Sequence, residues 1–346
     1  MLLVTFDRSG VCIPSSSPTC SRCCNFPRMG SASADPVVRV EGLRKAYGTH
    51  EAVKGIDFEV QRGEIFGFLG TNGAGKTTSI EILEGYRSRT GGMVSVLGVD
   101  PAVPTAAWRE RIGLVLQDSE LDPVYTVRET VTMFSHYYAN PRSVDTTIEM
   151  VGLREQHDAR IGSLSGGQRR RVDVALGIIG NPELLFLDEP TTGFDPQARR
   201  DFWSMIEGLR DEGTTIFLTT HYMDEAQHLA DRLVILSSGE VVAAGTAAAL
   251  TRQVGGDSLV RFGLPGGTTV DAISVAVGAM PSVSGQEVTL STSDPQSTLL
   301  RLLSWADAQH LVLDDLLVTR PSLDDVFLAL TSESADATPG SPQASS

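Results

Sequence analysis

From residue 37 to residue 60 apolar and polar positions alternate around the short turn Tyr47-Gly48-Thr49, which predicts an antiparallel strand pair. The pattern then changes: Ile65-Phe66-Gly67-Phe68-Leu69, Ile112-Gly113-Leu114-Val115-Leu116 and Leu184-Leu185-Phe186-Leu187 are unbroken apolar runs, and Thr214–Thr220 carries another. Short runs of this kind predict buried strands of an α/β sheet. Helical patterns separate them, at Thr78–Leu83, Trp108–Arg111, Thr126–Gly152, Arg169–Ile179 and Ala198–Leu209. Thr126 and Glu129 form a capping-box start for the third, and Asn181-Pro182 ends the fourth.

Composition shifts near Gly245, and the pattern beyond it reads strand (259–262), helix (270–278), strand pair (283–291), helix (296–310), strand (311–319) and a final helix (323–330). That order predicts a small α+β domain of split βαβ, ferredoxin-like type. The expected organisation is an extension over 1–34, a nucleotide-binding domain over 35–245, an accessory domain over 246–331 and a Ser/Ala/Pro-rich disordered tail over 332–346.

A chain of 346 residues has room for these domains, and 41% apolar with 21% charged residues is ordinary globular composition. The 28 Lys and Arg against 43 Asp and Glu give a net charge of −15, which repels a nucleic-acid backbone and argues against such a partner. No apolar stretch reaches the ~20 residues a membrane span needs, so a membrane role would come through a partner. Cys12, Cys20, Cys23 and Cys24 all precede residue 25. Their spacing is a weak metal signature without a nearby His, and the Ser/Pro-rich context reads as an extension ahead of a start at Met29. Asp7 and Arg8 interrupt the one apolar stretch there, unlike a signal peptide, and the cysteine-free remainder suits a reducing cytoplasm.

The candidate chemistry starts at Gly70-Thr71-Asn72-Gly73-Ala74-Gly75-Lys76-Thr77-Thr78, a G-x-x-x-x-G-K-[ST] phosphate loop between a predicted strand and a predicted helix. Glycines let the backbone wrap a phosphate at a helix N-terminus, Lys76 adds charge at the β and γ oxygens, and Thr77 offers a hydroxyl to Mg²⁺. Asp188 and Glu189 end the third of the apolar runs, Leu184–Leu187. Adjacent carboxylates there are costly unless a cation or a reaction uses them, so Asp188 suits Mg²⁺ and Glu189 suits taking a proton from an attacking water. His221 ends the next strand and reads as a positioning group for the γ-phosphate and water. Leu164-Ser165-Gly166-Gly167-Gln168 opens a helix as a second glycine-rich anion site, with Ser165 as an added donor. Tyr47 reads either as sheet packing or as a plate for the adenine ring. Gln117, directly after a buried strand, reads as a turn residue or a ligand-facing group.

Taken together, Tyr47, Gly70–Thr78 (Walker A), Gln117 (Q-loop), Leu164–Gln168 (signature), Leu184–Glu189 (Walker B) and His221 (H-loop) occur in the order found in ATP-binding subunits of ABC transporters, which the chain resembles over 37–245. Asp195 matches the D-loop aspartate, although Thr192-Gly193-Phe194 departs from the commoner Ser-Gly-Leu. The segment Arg320-Pro321-Ser322-Leu323-Asp324-Asp325-Val326-Phe327-Leu328 resembles the multidrug and daunorubicin-resistance exporter type. The resemblance implies a P-loop NTPase fold with a RecA-like α/β lobe, an antiparallel β lobe and a helical signature subdomain. It also implies a Mg-dependent ATPase whose homodimer traps ATP head to tail, the signature of one copy over the Walker A of the other. Gln117 is then a relay and Mg²⁺ contact, and Asp195 an inter-subunit residue. The implied partner is a separately encoded permease at the cytoplasmic face of the membrane, with a drug, antibiotic or lipid-like cargo. The competing reading, a soluble ABC ATPase on nucleic acid or the ribosome, expects tandem cassettes or coiled-coil insertions, which the sequence does not show.

Overall fold

Val38, Val40 and Leu43 alternate with Arg39, Glu41 and Arg44, and in the computed structural model this pattern becomes β1 (Val38–Tyr47), buried on one face and wet on the other. The structure describes residues 35–116, 120–253, 258–264, 268–319, 322–324 and 326–327. The readings for residues 1–34 and their cysteines, for Gln117, for most of the last helix and for the tail lie outside these. Two units divide the chain, Met1–Ala247 and Ala248–Ser346.

In the first unit β1 pairs antiparallel with β2 (His50–Val60) on one side and with β4 (Gly91–Val96) on the other, making a three-stranded sheet of its own. The apolar runs supply the second sheet, ordered β5-β6-β7-β3-β8-β9 from β3 (Ile65–Gly70), β5 (Ile112–Val115), β6 (Leu184–Asp188), β7 (Thr215–Thr220), β8 (Arg232–Ser237) and β9 (Glu240–Gly245). All pairs in it are parallel except β8 with β9. Every residue of β3, β6 and β7 is buried, because both faces of this sheet are covered. On one face Phe58 of β2 packs against Phe66 and Phe68 at 5.6 and 5.3 Å between ring centroids, with Phe186 and Phe217 completing the cluster. Each such pair contributes about 0.5–1.5 kcal/mol beyond its buried area, so the two sheets are joined by an aromatic layer.

The opposite face carries Ile65, Leu185, Leu187, Ile216 and Leu218, in one core with α3 (Val127–Ser135), α4 (Val144–Met150), α5 (Gly166–Ile178) and α6 (Pro196–Asp211). The remaining helices of this unit are α1 (Lys76–Leu83), α2 (Ala106–Arg109) and α7 (Met223–Leu229), and α8 (Ala247–Gln253) follows at the boundary. Thr126 caps α3 with the reciprocal Glu129 contact that the capping box predicts. The single helix expected over Thr126–Gly152 is instead α3 and α4. Pro141 lacks the N–H that a continuous helix requires and pushes Asn140 out of the helical region, and Ser143 restarts the helix. Close packing joins α5 to the sheet, since a Cβ on Gly113 would lie 2.1 Å from the Gly177 carbonyl oxygen.

The second unit is α+β. Its sheet is ordered β11-β12-β10-β13, antiparallel throughout, from β10 (Ser258–Gly263), β11 (Ser282–Ser284), β12 (Glu287–Thr292) and β13 (Leu317–Thr319). With α9 (Val270–Val277) and α10 (Pro295–Ala308) the order is βαββαβ, and Val260, Phe262, Ile273, Val288, Leu290 and Leu302 form its core. The last strand is shorter than the expected 311–319. No helix among the described residues is long and apolar enough to cross a membrane.

Candidate functional site

The phosphate loop leaves β3 and enters α1 through Gly75, which stands at φ +102° with open space denied to a side chain: a Cβ there would lie 2.6 Å from the Ala52 carbonyl oxygen. Lys76 is only 5% exposed, and its ammonium donates to the carbonyl oxygens of Gly70 at 2.8 Å and Thr71 at 3.3 Å. The lysine therefore holds both ends of the turn whose backbone would meet phosphate. Thr71, Asn72, Gly73 and Thr77 are exposed around it, and Ala74 is buried beneath.

Asp188 is the last residue of β6 and lies beside Thr219 in the parallel ladder, so the Thr219 hydroxyl donates to its carboxylate. Burial pushes the Asp188 carboxyl up, an effect that the Thr219 bond opposes and the Glu189 charge reinforces. Glu189 then turns the chain at φ +44°, in the left-handed region. Its N–H donates to both the carbonyl and the hydroxyl of Thr219. That turn aims the side chain at Lys76 and His221: one carboxylate oxygen is 3.3 Å from Lys76 Nζ and the other 3.1 Å from His221 Nδ1. The contact to His221 is a close approach and not an aligned hydrogen bond. Four predicted residues, Lys76, Asp188, Glu189 and His221, thus converge at the carboxyl edge of β3, β6 and β7.

Other predicted residues stand apart from that cluster. Tyr47 is 40% exposed at the end of β1, with Lys45 Nζ 5.0 Å and the Arg87 guanidinium 5.4 Å from its ring centroid. The half-exposed ring thus has two cations within cation–π reach. Ser165 caps α5, its hydroxyl accepting from the Gln168 N–H while Gln168 Oε1 accepts from the Ser165 N–H. This capping box was legible as S-x-x-Q, and it leaves the hydroxyl proton of Ser165 available to a ligand. Thr78 is half-buried in α1 and Gly166 exposed at the start of α5. Ser165, Gly167, Gln168 and Asp195 line an open cleft of about 710 Å³. Asp195 caps α6 by accepting from the N–H groups of Gln197 and Ala198 at 2.9 and 2.8 Å.

Three buried groups escaped the motif reading. Arg170 stands in the run Arg169-Arg170-Arg171, which looks solvated, yet it is 8% exposed and shares the buried stripe of Val174 and Ile178, a spacing that could have revealed it. Glu225 of α7 is fully buried and accepts from Thr191 Oγ1 at 2.8 Å and Trp203 Nε1 at 3.3 Å, which ties the segment after Glu189 to the helix after His221. Burial raises its carboxyl. Glu84, at the end of α1, is pushed from the ordinary 4.5 up to about 8 by burial and then by the charges of Asp188 and Glu81.

That last shift sets a pH dependence. The folded chain keeps a proton on Glu84 between about pH 4.5 and 8 where the unfolded chain has released it, so stability is full below that window and falls as pH rises through it. The slope is at most about 1.4 kcal/mol per pH unit. Glu84→Gln should therefore raise the melting temperature in magnesium-free buffer at pH 8, with little gain at pH 4.5. Equal gains at both values would contradict a protonated Glu84.

A family model described as "ABC transporter" matches residues 53–192, and one described as "ABC transporter domain-containing protein-like, C-terminal domain" matches residues 258–322. The chain is 38% identical over 316 residues to Nod factor export ATP-binding protein I of Ralstonia nicotianae, covering 88% of this chain and 96% of that one. It is 35% identical over 307 residues to daunorubicin resistance ATP-binding protein DrrA3 of Streptomyces coeruleorubidus, covering 87% and 97%. Among solved structures it is similar to cbiO1 from Clostridium perfringens, part of an ABC transporter complex, at 28% identity and a TM-score of 0.58, covering 64% of this chain and 95% of that one.

Proposed function

Because the chain belongs to the ATP-binding subunits of ABC transporters, an ATP-hydrolysing family, we propose that it powers export of a drug, antibiotic or lipid-like compound through a separate membrane permease. The name of one relative states export of Nod factor and that of another states daunorubicin resistance, which supports the direction of transport and the class of cargo. One observation carries the chemistry: Glu189 lies within ion-pair distance of both Lys76 and His221, at 3.3 and 3.1 Å, in a site that has the geometry of a phosphate cradle. In this reading the loop Gly70–Thr78 and Lys76 bind the triphosphate, Tyr47 receives the adenine and Glu189 accepts the proton of the attacking water. His221 holds the water and the γ-phosphate in line.

The donor set fits Mg²⁺. Asp188 presents a buried carboxylate whose charge a cation beside it would offset, Thr77 has an exposed hydroxyl at the start of α1, and both are hard oxygen donors. Gln117 completes the expected set. When bound, the ion would neutralise charge on the phosphate oxygens. Ser165, Gly166, Gly167, Gln168 and Asp195 then form the half-site that closes over the nucleotide of a second copy. Such a dimer parts when the γ-phosphate is lost and so passes force to the permease at the cytoplasmic face of the membrane.

The test first identifies a multi-span protein that co-purifies with this chain, and then uses membrane vesicles containing both. The expected result is accumulation of an anthracycline or a lipo-oligosaccharide that requires ATP and Mg²⁺ and stops with orthovanadate. Hydrolysis without any ATP-dependent accumulation would remove the export reading and leave the ATPase.

A further inference from the structure

Arg170 lies on α5, the helix whose N-terminus is the second glycine-rich site, yet its guanidinium reaches the strand ends that carry the first. Nε donates to the Pro190 carbonyl oxygen at 3.0 Å, Nη2 to the Asp188 carbonyl oxygen at 3.0 Å and Nη1 to the Leu116 carbonyl oxygen, while Asp173 Oδ2 lies 3.7 Å from Nη1. A buried arginine could do this merely to satisfy strand-end carbonyls. The position of two of those carbonyls argues for more. They belong to the residues immediately before and after Glu189: the Asp188 carbonyl fixes the peptide plane that leads into Glu189, and the Pro190 carbonyl fixes the plane one residue beyond it.

Glu189 needs that support. Its φ of +44° lies in a region that a side chain of this length adopts at a cost, and such a conformation persists only where the surroundings over-determine it. From the β7 side Thr219 receives the Glu189 N–H on two oxygens. From the α5 side Arg170 grips the flanking carbonyls. We infer that Arg170 is a positioning residue that holds the turn aiming the Glu189 carboxylate at Lys76 and His221, and so ties the signature helix to the proton acceptor of the same chain. This rests on the reading of Glu189 as the base. The planar fork explains the residue type: five N–H donors spread in one plane reach three carbonyls on two separate segments, whereas a lysine ammonium is a single point of charge.

The test is steady-state and single-turnover hydrolysis by the full chain carrying Arg170→Lys, Glu189→Gln or both. Arg170→Lys should lower kcat about tenfold while KM for ATP and equilibrium ATP binding stay within about twofold, the split expected when a reacting group is misaimed and the substrate site is intact. In the Glu189→Gln background the same change should add nothing, because both substitutions act through one carboxylate. Parental turnover by Glu189→Gln would remove the base and this inference with it. A slow Glu189→Gln beside an Arg170→Lys chain with parental kcat, with a loss confined to KM, or with an equal further loss in the double variant would leave the base standing and overturn the role of Arg170. Should Arg170→Lys not fold, Arg170→Gln, whose amide can donate to two carbonyls, is read by the same kcat-to-KM split.

Discussion

A Glu189→Gln chain binds ATP as the parent does and hydrolyses it at least about a hundredfold more slowly. The amide has the shape of the carboxylate and can stay between Lys76 and His221, 3.3 and 3.1 Å away in the parent, so the nucleotide pocket keeps its form. What it loses is the capacity to take a proton. It also loses the negative charge 3.3 Å from Lys76 Nζ, which leaves that ammonium more of its charge for the phosphates. Affinity should therefore stay level or rise while turnover collapses, a combination that disruption of the fold does not produce. Equilibrium binding of a fluorescent ATP analogue beside phosphate release in a single turnover checks it. Release at the parental rate means that another group takes the proton.

Lys76→Ala removes the opposite partner and acts on binding: the affinity for ATP falls about a hundredfold or more, and ATP ceases to drive association of two copies. Part of this loss is direct, since a charge-assisted contact to the phosphates disappears. Part is structural, because the ammonium also donates to Gly70 and Thr71 and the loop loses its internal tie. The substitution leaves Glu189, with a side chain 13% exposed, without the Lys76 charge, and breaking a buried pair on one side costs on the order of 3 kcal/mol. The double variant Lys76→Ala with Glu189→Gln separates the two parts. It should regain most of the lost melting temperature and none of the ATP affinity. Light scattering with and without ATP reads the association, and a single variant that still pairs on ATP like the parent would refute the role given to Lys76.

Much of this site was legible because its parts are local. The phosphate loop, the paired carboxylates and His221 each follow an apolar strand by one residue or a few, and strand ends in a parallel sheet share an edge, so linear position translates into spatial position. Arg170 was not legible in that way. Its partners are Leu116, Asp188 and Pro190, and a basic triplet looks solvated until the sheet is assembled over one member of it. Thr219 is similar: its role follows from lying opposite Asp188 in the ladder, a register that only the tertiary structure sets. The helix read as continuous over Thr126–Gly152 had the opposite fault. Its local signal at Pro141 was present, and the apolar period on both sides outweighed it.

The order β7-β3-β8 has a consequence for biosynthesis. The strand that launches the phosphate loop, Ile65–Gly70, pairs in the sheet with Ile216–Thr220 and Arg232–Leu236, partners that leave the ribosome well over a hundred residues later. Until then six consecutive residues that end up wholly buried are without their strand partners, on a chain still being made. The nascent protein must keep this segment from associating with others of its kind while it waits, and nucleotide can stabilise the site only after β8 is out. Cellular yield should then depend more on elongation and chaperone capacity than on the final stability of the folded chain.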